Sequence, residues 1–316
     1  MAYRKRYGSY KVKKRTKRSG RRYRSTVKTR LYRKYKARMT KKRVLNMTSR
    51  KKRDTMLCRR NTDDAGGSSA LNTGAIRILG GGTSNEIPCG YFLFCPSART
   101  LSNTAATPYT VAAEAARTAT TTYARGYKEK IRITSSSGQP WLWRRIVFML
   151  KFALTSPGTD TSPNQPPVLY ANTAGLGMVR VAQNIFINNT PKYAQLINEL
   201  VFKGSAGVDW IDVMDAPIDT RRVDLKSDTT RRMVSGNNLG FNKEFNCWHP
   251  INKNIVYDDD EVGDSMGTSF YSVRDKRGAG NMYVMDLFSP GQAGGAATNT
   301  DYLVVDFNGS YYWHEK

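Results

Sequence analysis

The stretch "WLWRRIVFMLKFAL", residues 141–154, is the longest strand-like run of the sequence. Side chains alternate across an extended backbone, and here both resulting sides are apolar. One side carries Leu142, Ile146, Phe148 and Leu150, and the other carries Trp141, Trp143, Val147 and Met149. We therefore expect a strand that is covered on both faces, with Arg144 and Arg145 in local ion pairs.

Short apolar runs flank this stretch and are separated by Gly, Pro, Asn and Asp. They are "AIRIL" (75–79), "YFLFC" (91–95), "EKIRIT" (129–134), "VLYA" (168–171), "GMVRVA" (177–182), "DWIDVM" (209–214), "RRVDL" (221–225), "NIVY" (254–257), "MYVMDLF" (282–288), "YLVVDF" (302–307) and "GSYYWHE" (309–315). Eight or more short strands with this punctuation indicate an antiparallel β-sandwich. No strand–helix unit repeats, which argues against a doubly wound α/β fold.

Two segments have helical features. "TPKYAQLINELVFKG" (190–204) has Thr190 as N-cap, Pro191 at the first helical position and Gly204 at its end. The Ala-rich "TVAAEAARTA" (110–119) is a second candidate. Helices inserted in the loops of a sandwich favour a jelly roll over an immunoglobulin fold. The predicted fold is all-β: one eight-stranded antiparallel jelly roll over residues 54–316, with one or two inserted short helices.

The N-terminal segment has a different composition. Residues 1–53 hold 25 Lys and Arg and no Asp or Glu. Residues 1–60 hold 27 basic residues and one acid, so their formal charge, +26, equals that of the whole chain. The remaining residues hold 24 basic and 24 acidic side chains. A segment with so much charge and so few apolar residues cannot offset the entropy of ordering. We therefore predict a largely disordered basic arm, residues 1–53, joined to a neutral body.

The arm has the composition of a nucleic-acid-binding segment. Its Lys and Arg can bind phosphates through charge, and its tyrosines offer rings on which unpaired bases stack, which favours single-stranded over duplex nucleic acid. The alternatives are a solvated charge run without a partner and a membrane-surface segment, and the second lacks an amphipathic apolar face. The predicted contacts are Arg4, Lys5, Arg6, Lys13, Lys14, Arg15, Lys17, Arg18, Arg21, Arg22, Tyr23, Arg24, Lys28, Arg30, Tyr32, Arg33, Lys34, Tyr35, Lys36 and Arg38.

The end of the arm, "KKRVLNMTSRKKR" (41–53), carries two tight basic clusters. This pattern is typical of a nuclear import signal, although basic clusters serve DNA binding as well, and both interpretations remain open. The residues concerned are Lys41, Lys42, Arg43, Arg50, Lys51, Lys52 and Arg53.

The sequence offers no catalytic constellation. It has two histidines, no phosphate-cradling glycine loop followed by Lys-Ser or Lys-Thr, and no serine in a nucleophile elbow. We therefore expect no enzymatic activity and no cofactor. A zinc site from Cys58, Cys89, Cys95 and His249 would require the fold to gather them, so buried free thiols are favoured and no metal is predicted.

Acidic residues cluster in two places. The run "DDDEVGD" (258–264) is interpreted as a solvated loop; the alternatives are pairing with a basic residue of a neighbouring subunit and cation binding at an interface. Asp209, Asp212, Asp215 and Asp219 alternate with apolar residues, which is interpreted as one face of a strand.

Targeting signals for membranes are not found. The N-terminus is charged but has no apolar h-region of a secretory signal, and the longest apolar run is too short to span a bilayer. We therefore expect synthesis in the cytosol and no membrane partner.

Four stretches resemble a known family: "RKKRDTM" (50–56), "YARGYKEKIRI" (123–133), "PWLWRRI" (140–146) and "DFNGSYYWHEK" (306–316). With the segment between residues 91 and 151, they resemble the capsid proteins of genomoviruses, the gemycircularvirus-like group related to geminiviruses. The likeness covers nearly the whole chain, and its most specific parts are the second and third stretches.

The resemblance implies a jelly roll that assembles with copies of itself into a small non-enveloped icosahedral shell (T=1, sixty subunits) around circular single-stranded DNA. It also implies nuclear replication, so the expected locations are the virion and the host cell nucleus, and host nuclear import machinery is an expected partner. In such a shell, Arg144 and Arg145 could alternatively face the interior. The Cys/His motif assigned to geminivirus coat proteins is not carried over, because no histidine lies near Cys58 and Cys89.

Two other functions remain as alternatives. One is a monomeric nuclear nucleic-acid-binding protein of ribosomal or histone-like type, and the other is an enzyme with a nucleic-acid anchor. Proteins of the first kind usually spread basic charge over the folded surface as well, whereas this body is neutral. The second lacks catalytic residues.

Overall fold

A computed structural model describes residues 39–81, 88–154, 168–187, 191–291 and 301–316. The helices are α1 (Lys41–Thr48) and α2 (Pro191–Val201). The strands are β1 (Arg50–Met56), β2 (Cys58–Thr62), β3 (Ser68–Thr73), β4 (Ile76–Leu79), β5 (Gly90–Phe94), β6 (Thr121–Ser135), β7 (Trp141–Leu150), β8 (Ala171–Thr173), β9 (Gly177–Ala182), β10 (Asp224–Met233), β11 (Asn242–Val256), β12 (Asp260–Val262), β13 (Ser265–Gly267), β14 (Asn281–Pro290) and β15 (Tyr302–Glu315). The predicted all-β class is confirmed.

Two antiparallel sheets form the sandwich. One has the order β1-β15-β6-β11, with β4 paired to the start of β15, and the other has the order β10-β7-β14-β5. Taken in chain order, the eight strands on these two paths are arranged 1-8-3-6 in the first sheet and 5-4-7-2 in the second. This is the interlocked order of a jelly roll, as predicted.

The described residues contain more strands than the predicted eight. A smaller sheet has the order β3-β2-β9-β8, in which β2 and β9 run parallel, and β12 and β13 form a separate hairpin. The predicted count of eight is therefore not confirmed, although eight strands account for the two main paths.

The strand β7 is covered on both sides, as its alternation predicts. Its residues Trp141 and Trp143 pack in the cluster that contains Ile131 and Phe307 of the opposite sheet. On the other face of β7, Ile146, Phe148 and Leu150 pack in a cluster with residues of α2. One strand therefore joins the interior of the sandwich to the helix that covers it.

The helix predicted within residues 190–204 is confirmed as α2, and its apolar face is mostly buried. Tyr193, Ile197 and Val201 are buried, whereas Leu196 is exposed. The predicted cap Thr190 lies outside the described residues, and Gly204 follows the helix with φ +82°. Neither described helix is long and apolar enough to cross a membrane.

The predicted helix at 110–119 is wrong: this segment consists of turns. Arg117 within it is buried, and its guanidinium donates to the carbonyl oxygens of Arg99 at 3.2 Å and of Ser269 at 3.0 Å. These long-range bonds fix the segment in an irregular path and override the helix propensity of its alanines.

The predicted strand at 209–214 is also wrong, and the segment forms turns. Its aspartates serve those turns: Asp209, Asp212 and Asp219 accept backbone hydrogen bonds from Ser205, Met214 and Arg221 respectively. Their spacing reflects turn formation and not the face of a strand. In addition, only Ala171 of the predicted "VLYA" strand belongs to β8, and "RRVDL" joins a strand only from Asp224.

The end of the predicted arm belongs to folded structure. Its last four residues open β1, which pairs with β15 from Arg50 opposite Glu315 to Met56 opposite Gly309. The compact unit that contains both main sheets begins at Leu45 and ends at Lys316. The body thus includes residues that the sequence alone assigned to the arm.

Candidate nucleic-acid interface

The predicted nucleic-acid contacts of the arm, from Arg4 to Arg38, lie outside the described residues. The predicted import residues fall in two elements. Lys41, Lys42 and Arg43 lie in the first turn of α1, where the Thr40 hydroxyl accepts the backbone N–H of Arg43 at 3.3 Å. This N-cap stabilises the start of α1, a helix that was not predicted from the basic composition of the segment.

The second import cluster lies in β1 and alternates between two faces. Lys51 and Arg53 are exposed, whereas Lys52 is buried. The Lys52 Nζ lies 3.0 Å from Glu315 Oε2 and donates to the Ala116 carbonyl oxygen at 2.8 Å. Lys52 is therefore bound by groups of its own chain, and the exposed neighbours Lys51 and Arg53 provide the surface charge.

The outer face of β6 is basic, because charged and apolar residues alternate along "YARGYKEKIRI". Arg125, Lys128, Lys130 and Arg132 are exposed, while Ile131 and Ile133 point into the core. From the sequence alone, these cations were not assigned to any site. The alternation of charged and apolar residues could have indicated a basic outer face. Which residues lie beside these cations, however, depends on the strand register.

That register places two aromatic and basic rows side by side. Lys51 in β1 is opposite His314 in β15, which is opposite Tyr123 in β6. Two residues along β1, Arg53 is opposite Tyr312. A third row brings Lys128 of β6 opposite Trp248 of β11. We call this surface the basic–aromatic face; it comprises Lys51, Arg53, Tyr123, Arg125, Lys128, Trp248, Tyr312 and His314.

The indole of Trp248 lies across the middle of this face, over Gly126. A Cβ at Gly126, whose φ is +154°, would come within 2.9 Å of two ring carbons of Trp248 and within 2.5 Å of the His249 carbonyl oxygen. The ring also contacts Tyr312 edge-on, with centroids 5.8 Å apart. Glycine at this position therefore leaves room for a large aromatic ring on the surface, and 48% of Trp248 is exposed.

Charge is balanced differently at the two ends of β6. Towards its C-terminal end, Lys130 pairs with Glu244 at 2.9 Å and Arg132 pairs with Asp306 at 3.3 Å. By contrast, no described acidic group lies within ion-pair distance of the four cations of the basic–aromatic face. Burial first, and then the charges of Arg125 and Lys51, lower the pKa of His314.

Arginines inside the body, by contrast, are matched by acids. Arg144 donates to Asp228 at 2.7 Å, and Arg99 pairs with Asp54. The interpretation of 258–264 as a solvated loop is corrected at Asp259, whose carboxylate accepts from buried Arg117 at 2.9 Å within the same chain. Burial raises the pKa of Asp259, but the bonds and charge of Arg117 outweigh it, so the pKa lies below its usual range.

Four buried charges meet between the sheets. Arg180 of β9 lies 2.9 Å from Glu129 of β6 and 3.4 Å from Asp286 of β14, and Arg145 of β7 contacts both acids. Burial opposes ionisation of Glu129, but Arg145 and Arg180 lower its pKa to about 2. The cluster is neutral overall, which confirms local pairing of Arg145 and shows that it is not available to a ligand.

The cysteines are buried free thiols. Cys58 and Cys89 pack in one hydrophobic cluster and Cys95 in another, so the described fold does not gather the set considered for zinc. Within the described residues, no group of three His, Cys, Asp or Glu side chains could hold a metal ion. Burial raises the pKa of Cys58 to about 11 and that of Cys89 to about 12.

In comparisons with known proteins, no family model and no curated protein matches this chain. Support for a function therefore comes from the fold, the distribution of charge and the surface of the first sheet.

Proposed function

We propose that the protein is a viral capsid subunit that assembles with copies of itself into a small icosahedral shell and packages circular single-stranded DNA through its basic arm. In this proposal the shell has sixty subunits, and the import clusters bring the protein to the host cell nucleus. The resemblance to genomovirus capsid proteins supports this function, and the jelly-roll strand order is compatible with it.

The observation that carries the proposal is the segregation of charge. The first 60 residues account for the full +26, and the remainder is formally neutral. A polycation can neutralise phosphates, whereas a neutral body can pack against identical bodies without long-range repulsion. One chain therefore combines a genome-binding part with a part suited to self-association.

The surface of the body supports self-association. Val208, Ile211 and Leu239 are 83%, 71% and 86% exposed. Large apolar side chains at such exposure gain free energy when a neighbouring surface covers them. A second copy of the chain would supply that surface in a shell.

The size of the arm suits a small genome. Sixty arms with 25 cations each supply about 1,500 positive charges, and each nucleotide of a single strand carries one negative charge. Such a shell would partly neutralise a strand of roughly two thousand nucleotides.

The test is to purify the full chain and to image it by negative-stain microscopy, with and without nuclease treatment. The proposal predicts closed particles of uniform diameter whose single-stranded DNA is protected from nuclease. Lone molecules that bind duplex and single-stranded DNA equally well would instead favour the monomeric nuclear alternative.

A further inference from the structure

The basic–aromatic face combines exposed cations with exposed rings on a rigid sheet. Its residues belong to β1, β6, β11 and β15, which are hydrogen-bonded neighbours. Adjacent strands lie about 4.8 Å apart, so its rows form a continuous surface about three strand spacings wide. Two of its cations, Lys51 and Arg53, lie in β1, the strand that follows α1 along the chain.

We infer that this face is a second nucleic-acid site, which binds unpaired bases and their phosphates in an ordered way. The inference rests on the proposed function, because that function supplies single-stranded DNA as the partner. It goes beyond it, because the proposed function assigns DNA binding to the N-terminal arm, whereas this site lies on the first sheet of the body.

The four cations of the face are free to bind phosphate. Lys51, Arg53, Arg125 and Lys128 are exposed, and within the described part of the chain none of them has an ion-pair partner. The Arg125 guanidinium donates to the Asn252 amide oxygen, which orients it without neutralising it. Phosphate oxygens would therefore meet four charged side chains, of which Arg125 is already oriented by Asn252.

Trp248 supplies the stacking surface. Its ring is seated over Gly126 and held edge-on by Tyr312, so little side-chain freedom is lost when a base stacks on it. Single-stranded DNA offers unstacked bases, whereas duplex DNA does not, which identifies the single strand as the occupant.

The tryptophans of the chain allow the face to be observed in the full-length protein. Of the five, Trp141, Trp143, Trp210 and Trp313 are buried, so Trp248 is the exposed one. The arm, residues 1–53, contains no tryptophan. DNA bound only by the arm would therefore leave the tryptophan emission unchanged, whereas a base stacked on Trp248 would quench it.

The experiment titrates full-length, unassembled protein with a fluorescein-labelled oligo(dT) of about 16 nucleotides. Anisotropy of the label reports total binding, and tryptophan emission reports the face. We expect both signals to change, and we expect Trp248→Leu to abolish the quenching and weaken binding at least about fivefold, the lower end for loss of one stacked base. A duplex of equal length should raise the anisotropy without quenching.

A second variant tests the cations. Arg125→Gln with Lys128→Gln should reduce the slope of log affinity against log salt by about 0.7 for each lost phosphate contact. The matched control, Lys130→Gln with Glu244→Gln, removes an already paired charge on the same sheet and should leave both the slope and the quenching unchanged.

The outcomes separate the two proposals. An anisotropy increase without quenching, or quenching that persists in Trp248→Leu, overturns the inference and leaves binding by the arm intact. The absence of any anisotropy increase overturns the proposed function, and the inference with it.

Discussion

The arm and the body contain nearly equal numbers of basic residues but differ in what surrounds them. The first 60 residues hold 27 Lys and Arg with one acid, and the remaining residues hold 24 with 24 acids. In the body, buried arginines such as Arg117 and Arg180 are held by carboxylates of the same chain. The two parts therefore differ in the acids that accompany their cations and not in the number of cations, and the proposed nucleic-acid sites rest on that difference.

The largest expected effect comes from deleting residues 1–38, which removes 18 Lys and Arg and leaves β1 in place. We expect affinity for single-stranded DNA at low salt to fall on the order of 10⁴-fold, about 5 kcal/mol, because most phosphate contacts are lost. Fluorescence anisotropy measures this loss, and near-UV circular dichroism should show that the body stays folded. Unchanged affinity in the shortened chain would move the main site onto the body.

The next largest effect is expected in the buried cluster. Arg180→Met leaves Glu129 and Asp286 with one cation between them, and we expect the free energy of unfolding to fall by about 3 to 5 kcal/mol. Urea unfolding followed by tryptophan fluorescence measures it. A loss below 1 kcal/mol would mean that these charges do not stabilise the body.

Acidification should weaken the body through His249. The histidine is buried, and its Nε2 has no hydrogen-bond partner among the residues that the structure describes. Burial, followed by the charge of Arg145, lowers its pKa to about 4. Below its unfolded pKa, near 6.5, the unfolded chain gains a proton that the folded chain does not bind, so stability is lost as pH falls towards 4. We expect a loss of about 2 kcal/mol between pH 7 and pH 5.

The control for this prediction is His249→Leu, which should remove most of that pH dependence. Urea unfolding at pH 5, 6 and 7 compares the two chains. If the free energy of unfolding falls equally steeply with pH in both chains, a group other than His249 causes the loss.

The smallest effect is expected at an exposed ion pair. Arg132 and Asp306 lie 3.3 Å apart with more than a third of each side chain exposed. We expect Arg132→Gln to change the free energy of unfolding by about 1 kcal/mol or less, because solvent screens the pair. The same urea measurement applies, and a loss as large as that for Arg180→Met would remove the distinction between buried and surface charges.

The sequence predicted those strands whose own side chains cover a core. The strand β7 is apolar on both sides, and β14 and much of β15 are nearly continuous apolar runs. Their hydrophobic pattern alone was therefore enough to predict these strands. The strand β10 was largely missed because "DLKSDTTRRM" is polar; it lies at a sheet edge and is held by backbone pairing to β7. Similarly, β1 was concealed by its basic residues, because its partner β15 lies at the other end of the chain.

The candidate sites were predictable to different degrees. The arm is predicted from composition alone, and its predicted contacts lie outside the described residues. The basic–aromatic face was not, because Lys51, Lys128 and Trp248 come together only through the pairing of distant strands. The buried cluster has the same origin, since its four charges come from four strands. Local patterns predict single strands, but contacts across a sheet require its register.

The most direct test of the division between arm and body is the nucleic-acid content of particles formed by the chain that starts at residue 39. If the arm binds the genome and the body builds the shell, this chain should form particles of the same diameter as the full chain, with most of the nuclease-protected DNA lost. Particles with an undiminished DNA content would contradict the division, as would a shortened chain that remains folded but no longer assembles.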